Sequence, residues 1–156
     1  MNKPTIVAID PGVNGGIAVF TPSEGTIELH KMPGTDWDVV NLIKDIHLAK
    51  GRVVLYLEEP STGGWGPASK HSIGKLQFNV GILYGAAIGM GWEVHRVKPA
   101  IWMKTHPVGI KGDRTDTQWK NVLKSRAAEL FPSVDVTLWN ADALLILDAA
   151  KRGAIN

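Results

Sequence analysis

Residues 53–57 read Val-Val-Leu-Tyr-Leu, an unbroken apolar run that stops abruptly at Glu58-Glu59-Pro60. Apolar residues without alternation describe a strand covered on both faces, because a half-exposed strand would alternate with polar residues. A strand of that kind needs helices above and below its sheet, and the flanking sequence supplies them. Asp36 to Ala49 carries Trp37, Val40, Ile43 and Ile46 at helical spacing. Ser72 to Met90 does the same with Ile73, Leu76, Val80, Leu83 and Ala87. Asp116 to Leu130 aligns Trp119, Val122, Leu123, Ala127 and Leu130 on one face and stops at Phe131-Pro132. Trp139 to Lys151 reads as the last helix. Before the central run, Thr5 to Ile9 and Ile17 to Phe20 form a hairpin pattern around Asp10-Pro11-Gly12 and Gly15-Gly16, and Thr26 to Met32 adds a third strand. Trp92 to Val97 is a fifth, followed by a short helix that Lys98-Pro99 opens and that runs to about Thr105. The pattern predicts an α/β fold: a five-stranded mixed sheet with helices on both faces.

Composition narrows the class. The chain has 156 residues, 44% of them hydrophobic, which fits one domain spanning 1–156 with a core of its own. It has no Cys, which excludes disulfides and thiolate zinc sites and fits a reducing, cytoplasmic setting. The N-terminus lacks a secretory apolar region with a cleavage site. The weakly polar run Val80 to Trp92 falls short of the about 20 residues that span a bilayer. A formal net charge of +2 is compatible with a polyanionic partner without demanding one.

The acids carry the chemistry. Asp10 ends the first strand and Glu58 the central one. Asp142 lies near the start of the last helix with Leu138, Trp139, Leu145 and Ile146 three and four residues away, so it sits on the apolar side. An unpaired carboxylate there costs several kcal/mol or stays protonated. Each acid also has a bland reading: a turn at Asp10-Pro11-Gly12, solvation of a strand end at Glu58-Glu59, a macrodipole partner at Asp142. Strand alternation turns one of Glu58 and Glu59 inward and the other outward. Asp148, with Lys151 and Arg152 three and four residues ahead, reads as a surface helix pair. Three carboxylates converging from two strand ends and a helix offset their repulsion by binding a hard cation such as Mg²⁺. Two ions about 4 Å apart would clamp an in-line phosphoryl displacement.

The order of three segments, AIDPGVNGGIAVF, LYLEEP and NADALLILDAAKRG, resembles the RuvC-type Holliday-junction resolvases of the RNase H-like superfamily, particularly the phage-type members. VHRVKPAIWMKTHPVGIKGDR is similar to the family's stretch between the second acid and the final helix, and the resemblance runs from Thr5 to about Gly153. It implies a homodimer that resolves four-way and other branched DNA by divalent-metal-dependent phosphodiester hydrolysis. The cofactor it implies is Mg²⁺, or Mn²⁺, with two ions per active site, and the products carry 5′-phosphate and 3′-hydroxyl ends. Carried over by position, Asp10, Glu58 and Asp142 are the metal ligands, with Glu59 facing outward or lying behind them. Lys104 and Arg114 match two basic positions near the scissile phosphate. The chain departs from the family where a fourth acid or a histidine is expected, three or four residues before the last acid. Trp139 and Leu138 stand there, and neither Asp135 nor Asn140 has the right helical spacing to replace them. That departure leaves open a protein of the same fold that binds junctions with little or no cutting. An actin-like phosphotransferase, whose first strand also ends in Asp and Gly, needs two such domains, and this length does not hold them.

The remaining candidates concern DNA. Trp65 stands in the Gly-rich loop STGGWGPASKH, placed to stack on an unpaired base. Lys70, Lys75 and Lys111, with Lys98 and Lys120, are available to phosphates. Trp37, Trp102, Trp119 and Trp139 are expected in the core. The five histidines show no ligand spacing; His71 and His106 border the expected DNA surface. Gly81, Gly85 and Gly89 recur on one helix, where each costs up to about 1 kcal/mol relative to Ala. Close approach of another backbone, the sheet beneath or a partner's helix, is the expected compensation.

Overall fold

A computed structural model describes residues 3–61 and 70–156. Its strands are β1 (Thr5–Ile9), β2 (Gly16–Thr21), β3 (Thr26–Lys31), β4 (Val53–Glu58) and β5 (Glu93–Val97). Its helices are α1 (Asp36–Lys50), α2 (Lys70–Gly89), α3 (Pro99–Met103), α4 (Asp116–Leu130) and α5 (Ala141–Lys151). The strands form one sheet in the order β3-β2-β1-β4-β5. β1 and β2, and β2 and β3, pair antiparallel, whereas β4 runs parallel to both β1 and β5. This is the five-stranded mixed sheet that the sequence predicts.

Strand alternation splits the core into two layers. Val7, Ile9, Leu55 and Leu57 face one side, where Val39, Ile43 and Ile46 of α1 and Val80, Leu83 and Ala87 of α2 cover them. Ala8 and Tyr56 face the other, against α5 and the inner faces of α3 and α4. The unbroken apolar run of β4 serves both layers, as its composition requires. Residues 143–147 and 149 of α5 are fully buried, so this helix is wrapped nearly all round. It packs on β1, β2 and β4, with α4 along its flank. Among the described residues no helix is long and apolar enough to cross a membrane.

Several expectations need correction. Trp37 is 74% exposed rather than core. The stripe of α1 that meets the sheet is Val39, Ile43 and Ile46, and Trp37 lies about 200° round the helix from Val39. The last helix starts at Ala141, so Leu138 and Trp139 belong to the turn before it. Trp139 is only partly buried, while Trp102 is fully enclosed and Trp119 packs against the same layer. The sheet is not what compensates the α2 glycines: a Cβ at Gly81, Gly85 or Gly89 would meet nothing within 4 Å. Asp148 does pair with Arg152, at 2.7 Å, but it is more enclosed than a solvated helix pair and lies 3.9 Å from His106. Lys151 instead sits 4.0 Å over the ring of Phe20. His106 is buried in the core with Nε2 3.0 Å from the Leu145 carbonyl.

Candidate functional site

The parallel register of β1 and β4 sets the site. Ile9 is paired with Leu57, so the next residues, Asp10 and Glu58, leave the sheet side by side. Ile9 and Leu57 point into the α1–α2 layer, and alternation therefore turns Asp10 and Glu58 toward α5. Glu59 turns back the other way, where it accepts a hydrogen bond from Arg96 at 3.2 Å. Of the two adjacent acids, one is inward and one outward, as expected. Asp142 is in the first turn of α5, the buried helix packed across the same strands.

The loop after β1 is shaped around Asp10. Gly12 N–H donates to Asp10 Oδ1 at 3.3 Å, and Gly15 N–H donates to the Gly12 carbonyl at 2.8 Å. A Cβ on Gly15 would stand 2.3 Å from the Asp10 carbonyl oxygen and 2.8 Å from its carboxyl carbon. One on Gly16 would stand 2.8 Å from the Trp139 ring. Only glycines allow this approach, so Gly15-Gly16 holds the turn against the acid on one side and Trp139 on the other. Asn79 of α2 braces the turn by donating to the Pro11 carbonyl at 2.6 Å.

The three carboxylates repel one another. Burial raises Glu58 to about 8, with the charges of Asp10 and Asp142 adding to the rise. Burial and then Asp10 push Asp142 to about 7. Asp10 is raised by burial as well, opposed by the Gly12 hydrogen bond and by Lys120. Against this trend, the fully enclosed Trp102 donates its indole N–H to Glu58 Oε2 at 2.7 Å. The sequence marks Trp102 only as core; the further clue is that a buried indole N–H needs an acceptor, and Glu58 is the one it finds.

Among the described residues no three His, Cys, Asp or Glu side chains are gathered closely enough to form a finished cation cage. Asp10 and Glu58 follow paired residues on adjacent parallel strands, and Asp142 lies in the first turn of the helix packed across them. Their donor set fits a hard divalent cation: oxygen ligands only, partly desolvated, with excess negative charge to neutralise. Asn140, just before α5, is not free to act as a further oxygen ligand, because Oδ1 accepts from Thr137 N–H at 2.8 Å and Nδ2 donates to the Asp135 carbonyl at 3.0 Å. Asp135 itself is exposed.

The basic candidates divide. Arg114 donates to the Ile110 carbonyl at 3.0 Å, which ties it into its own loop. Lys111 is paired with Asp116. Lys104 is exposed at the end of α3. Lys70 opens α2, and Lys75 lies along a groove with Pro11, Gly12 and Val13, beside the Asp10 turn. Among the described residues, Lys120 of α4 exerts its charge on both Asp10 and Asp142; the sequence offers it only as one phosphate contact among several. Trp65 lies outside the described residues.

Neither a protein-family model nor a curated protein matches the sequence. Solved structures do. A structure described as T. thermophilus RuvC in complex with Holliday junction substrate aligns with 99% of this chain and 99% of its own, at a TM-score of 0.61 and 15% identity. The chain has the RuvC, RNase H-like fold. A second structure, Thermus thermophilus RuvC, aligns over 97% of this chain and 98% of its own with a TM-score of 0.58 and 18% identity. At these identities the likeness is one of backbone. The two alignments span 97–99% of the chain.

Proposed function

We propose that residues 1–156 form one nuclease domain, a structure-selective endonuclease that resolves four-way and other branched DNA by divalent-metal-dependent phosphodiester hydrolysis. The observation that carries this reading is the placement of Asp10, Glu58 and Asp142 as mutually repelling, partly buried carboxylates on a RuvC fold. Glycines mould the first of them, and an indole N–H fixes the second. A structural role alone gives no reason to hold three such acids together.

In this reading the three carboxylates hold Mg²⁺, with Mn²⁺ as a substitute. A bound ion supplies charge stabilisation at the phosphoryl group and a water of lowered pKa. The chain's own contribution is orientation. The Gly12 N–H holds one oxygen of Asp10, Trp102 holds one oxygen of Glu58, and α5 carries Asp142 rigidly from the packed core. Lys104 and Arg114 act at the scissile phosphate. Trp65, Lys70, Lys75 and Lys111 contact the junction arms and crossover. Hydrolysis leaves 5′-phosphate and 3′-hydroxyl ends in the cytoplasm, as in phage-type resolvases. Paired cuts on symmetric strands call for a two-fold homodimer. The exposed stripe Gly74, Phe78, Gly81, Gly85, Ile88 and Gly89 along α2 suits the seam, because it is apolar, small-residue-rich and open.

Leu138 and Trp139, apolar where the family's pattern expects a further acid or a histidine, favour a second reading, a junction-binding protein that cuts poorly. A synthetic immobile four-way junction separates the two. With Mg²⁺ the protein should introduce paired nicks, and without it none. Asp10→Asn should bind the junction as tightly as the parent and cut at least 100-fold more slowly, on the order expected for removing a charge-stabilising group. Binding by the parent without nicks selects the second reading; equal cutting by Asp10→Asn removes the catalytic assignment.

A further inference from the structure

The Trp102 indole holds Glu58 Oε2, and the seat of that indole can be traced through the core to α5. Trp102 belongs to α3, a helix of five residues that is too short to fix a side chain without tertiary support. Its carbonyl accepts from the Thr105 hydroxyl at 2.7 Å and from the Thr105 N–H at 3.1 Å. The Thr105 carbonyl and hydroxyl accept in turn from Arg152 Nη2 at 3.2 and 3.3 Å. Arg152 caps the end of α5, and its Nε donates to Asp148 of the same helix at 2.7 Å. Beside Thr105, His106 meets the indole edge-on, with ring centroids 6.3 Å apart. Its Nε2 is 3.0 Å from the Leu145 carbonyl of α5; a carbonyl only accepts, so this nitrogen carries the proton.

Resting on the nuclease reading above, we infer that Thr105 and His106 are positioning residues of the metal site: they tie Trp102 to α5, so that one helix places Asp142 directly and Glu58 through the indole. Leu145 and Arg152 are seven residues apart, about 10 Å along the helix axis. Two anchors at that spacing fix the tilt of the Trp102–His106 segment as well as its position. The residue types support the assignment. His106 is buried against the enclosed Trp102, where an apolar ring would pack without the cost of desolvating a polar one. What the imidazole adds is a directed bond to α5. The Thr105 hydroxyl donates to α3 and accepts from α5 at once, which a valine of nearly the same shape cannot do. Asp142 and Leu145 stand one turn apart on α5, so a shift of that helix carries the third acid and the seat of the second together and keeps their spacing.

The indole N–H of Trp102 reports on this without metal or DNA. Its nuclear magnetic resonance signal in the metal-free protein is identified by its loss from Trp102→Phe. Thr105→Val and His106→Phe should each move that signal and speed its exchange with water, and Thr105→Ser should keep it at the parent position. A role in stability alone would lower the melting temperature and leave the signal in place. Mn²⁺ affinity, measured by calorimetry, should fall up to about 10-fold in Thr105→Val, and the same change should cost nothing further in a Trp102→Phe background. An unmoved indole signal, an unchanged Mn²⁺ affinity in Thr105→Val, or losses that add in the double variant overturn the inference. A parent that binds no Mn²⁺ overturns the metal-dependent nuclease reading instead, and the indole signal still decides whether Thr105 and His106 seat Trp102.

Discussion

The acid cluster should make the metal-free protein less stable as pH rises, and Glu58→Gln should remove most of that loss. Glu58 takes a proton at about 8 in the fold and at about 4.5 in an unfolded chain. Between those values the folded state holds a proton that the unfolded state has released. The unfolded state therefore gains as pH increases, by about 1.4 kcal/mol for each pH unit. The stability contribution is fully present below about 4.5, falls through the interval, and is exhausted above about 8. Between pH 5 and pH 8 this amounts to roughly 3 kcal/mol from Glu58 alone. Asp142, raised to about 7, titrates in the same direction and shares its charge interactions with Glu58, so the two effects overlap rather than add.

The assay is urea unfolding in EDTA at a series of pH values, parent beside Glu58→Gln. The amide keeps an acceptor for the Trp102 indole and carries no charge. The parent should lose about 3 kcal/mol more than the variant between pH 5 and pH 8. Mg²⁺ added at pH 8 should restore the parent and leave the variant nearly unchanged, because a cation that binds the ionised cluster favours the folded state. Parallel pH profiles for the two proteins would show that Glu58 is not held among repelling charges, and the cluster would lose its main support.

Three further outcomes follow from particular contacts. Trp102→Phe keeps the buried ring and removes the donor to Glu58 Oε2, so Mn²⁺ affinity measured by calorimetry should fall about 10-fold, while the circular dichroism spectrum is unchanged. Gly15→Ala forces a carbon to within 2.3 Å of the Asp10 carbonyl and should lower stability by about 1–3 kcal/mol in thermal unfolding; an unshifted melting temperature would mean the turn is not held against Asp10. Gly81→Glu with Gly85→Glu enters open space in one protomer and should preserve its fold, yet place like charges across a two-fold seam, so sedimentation should read a monomer; a persistent dimer would move the seam away from α2.

How far the sequence could be read depends on which signals are local. The apolar run of β4 and the two flanking helical patterns were enough for a mixed sheet with two covered faces, because burial leaves its mark residue by residue. Asp10 and Glu58 were legible as strand-end acids, and register then makes them neighbours, since Ile9 pairs with Leu57. The α5 boundary was not legible. Trp139 fits the helical period of Asp142, but Asn140 spends its amide on Thr137 and Asp135 and turns the chain just before the helix. Trp37 misleads for the related reason that periodicity tolerates two adjacent phases over a short helix. The glycines of α2 showed that something must offset their cost without showing what, and the sheet proves not to be it. Lys120 was the least legible, because nothing in its own neighbours distinguishes it from any solvated lysine. Its meaning comes from the packing of α4 on α5, which brings a side chain 22 residues before Asp142 into that acid's field. A site assembled from distant elements is therefore legible in the sequence only where each of its parts carries a local signal of its own.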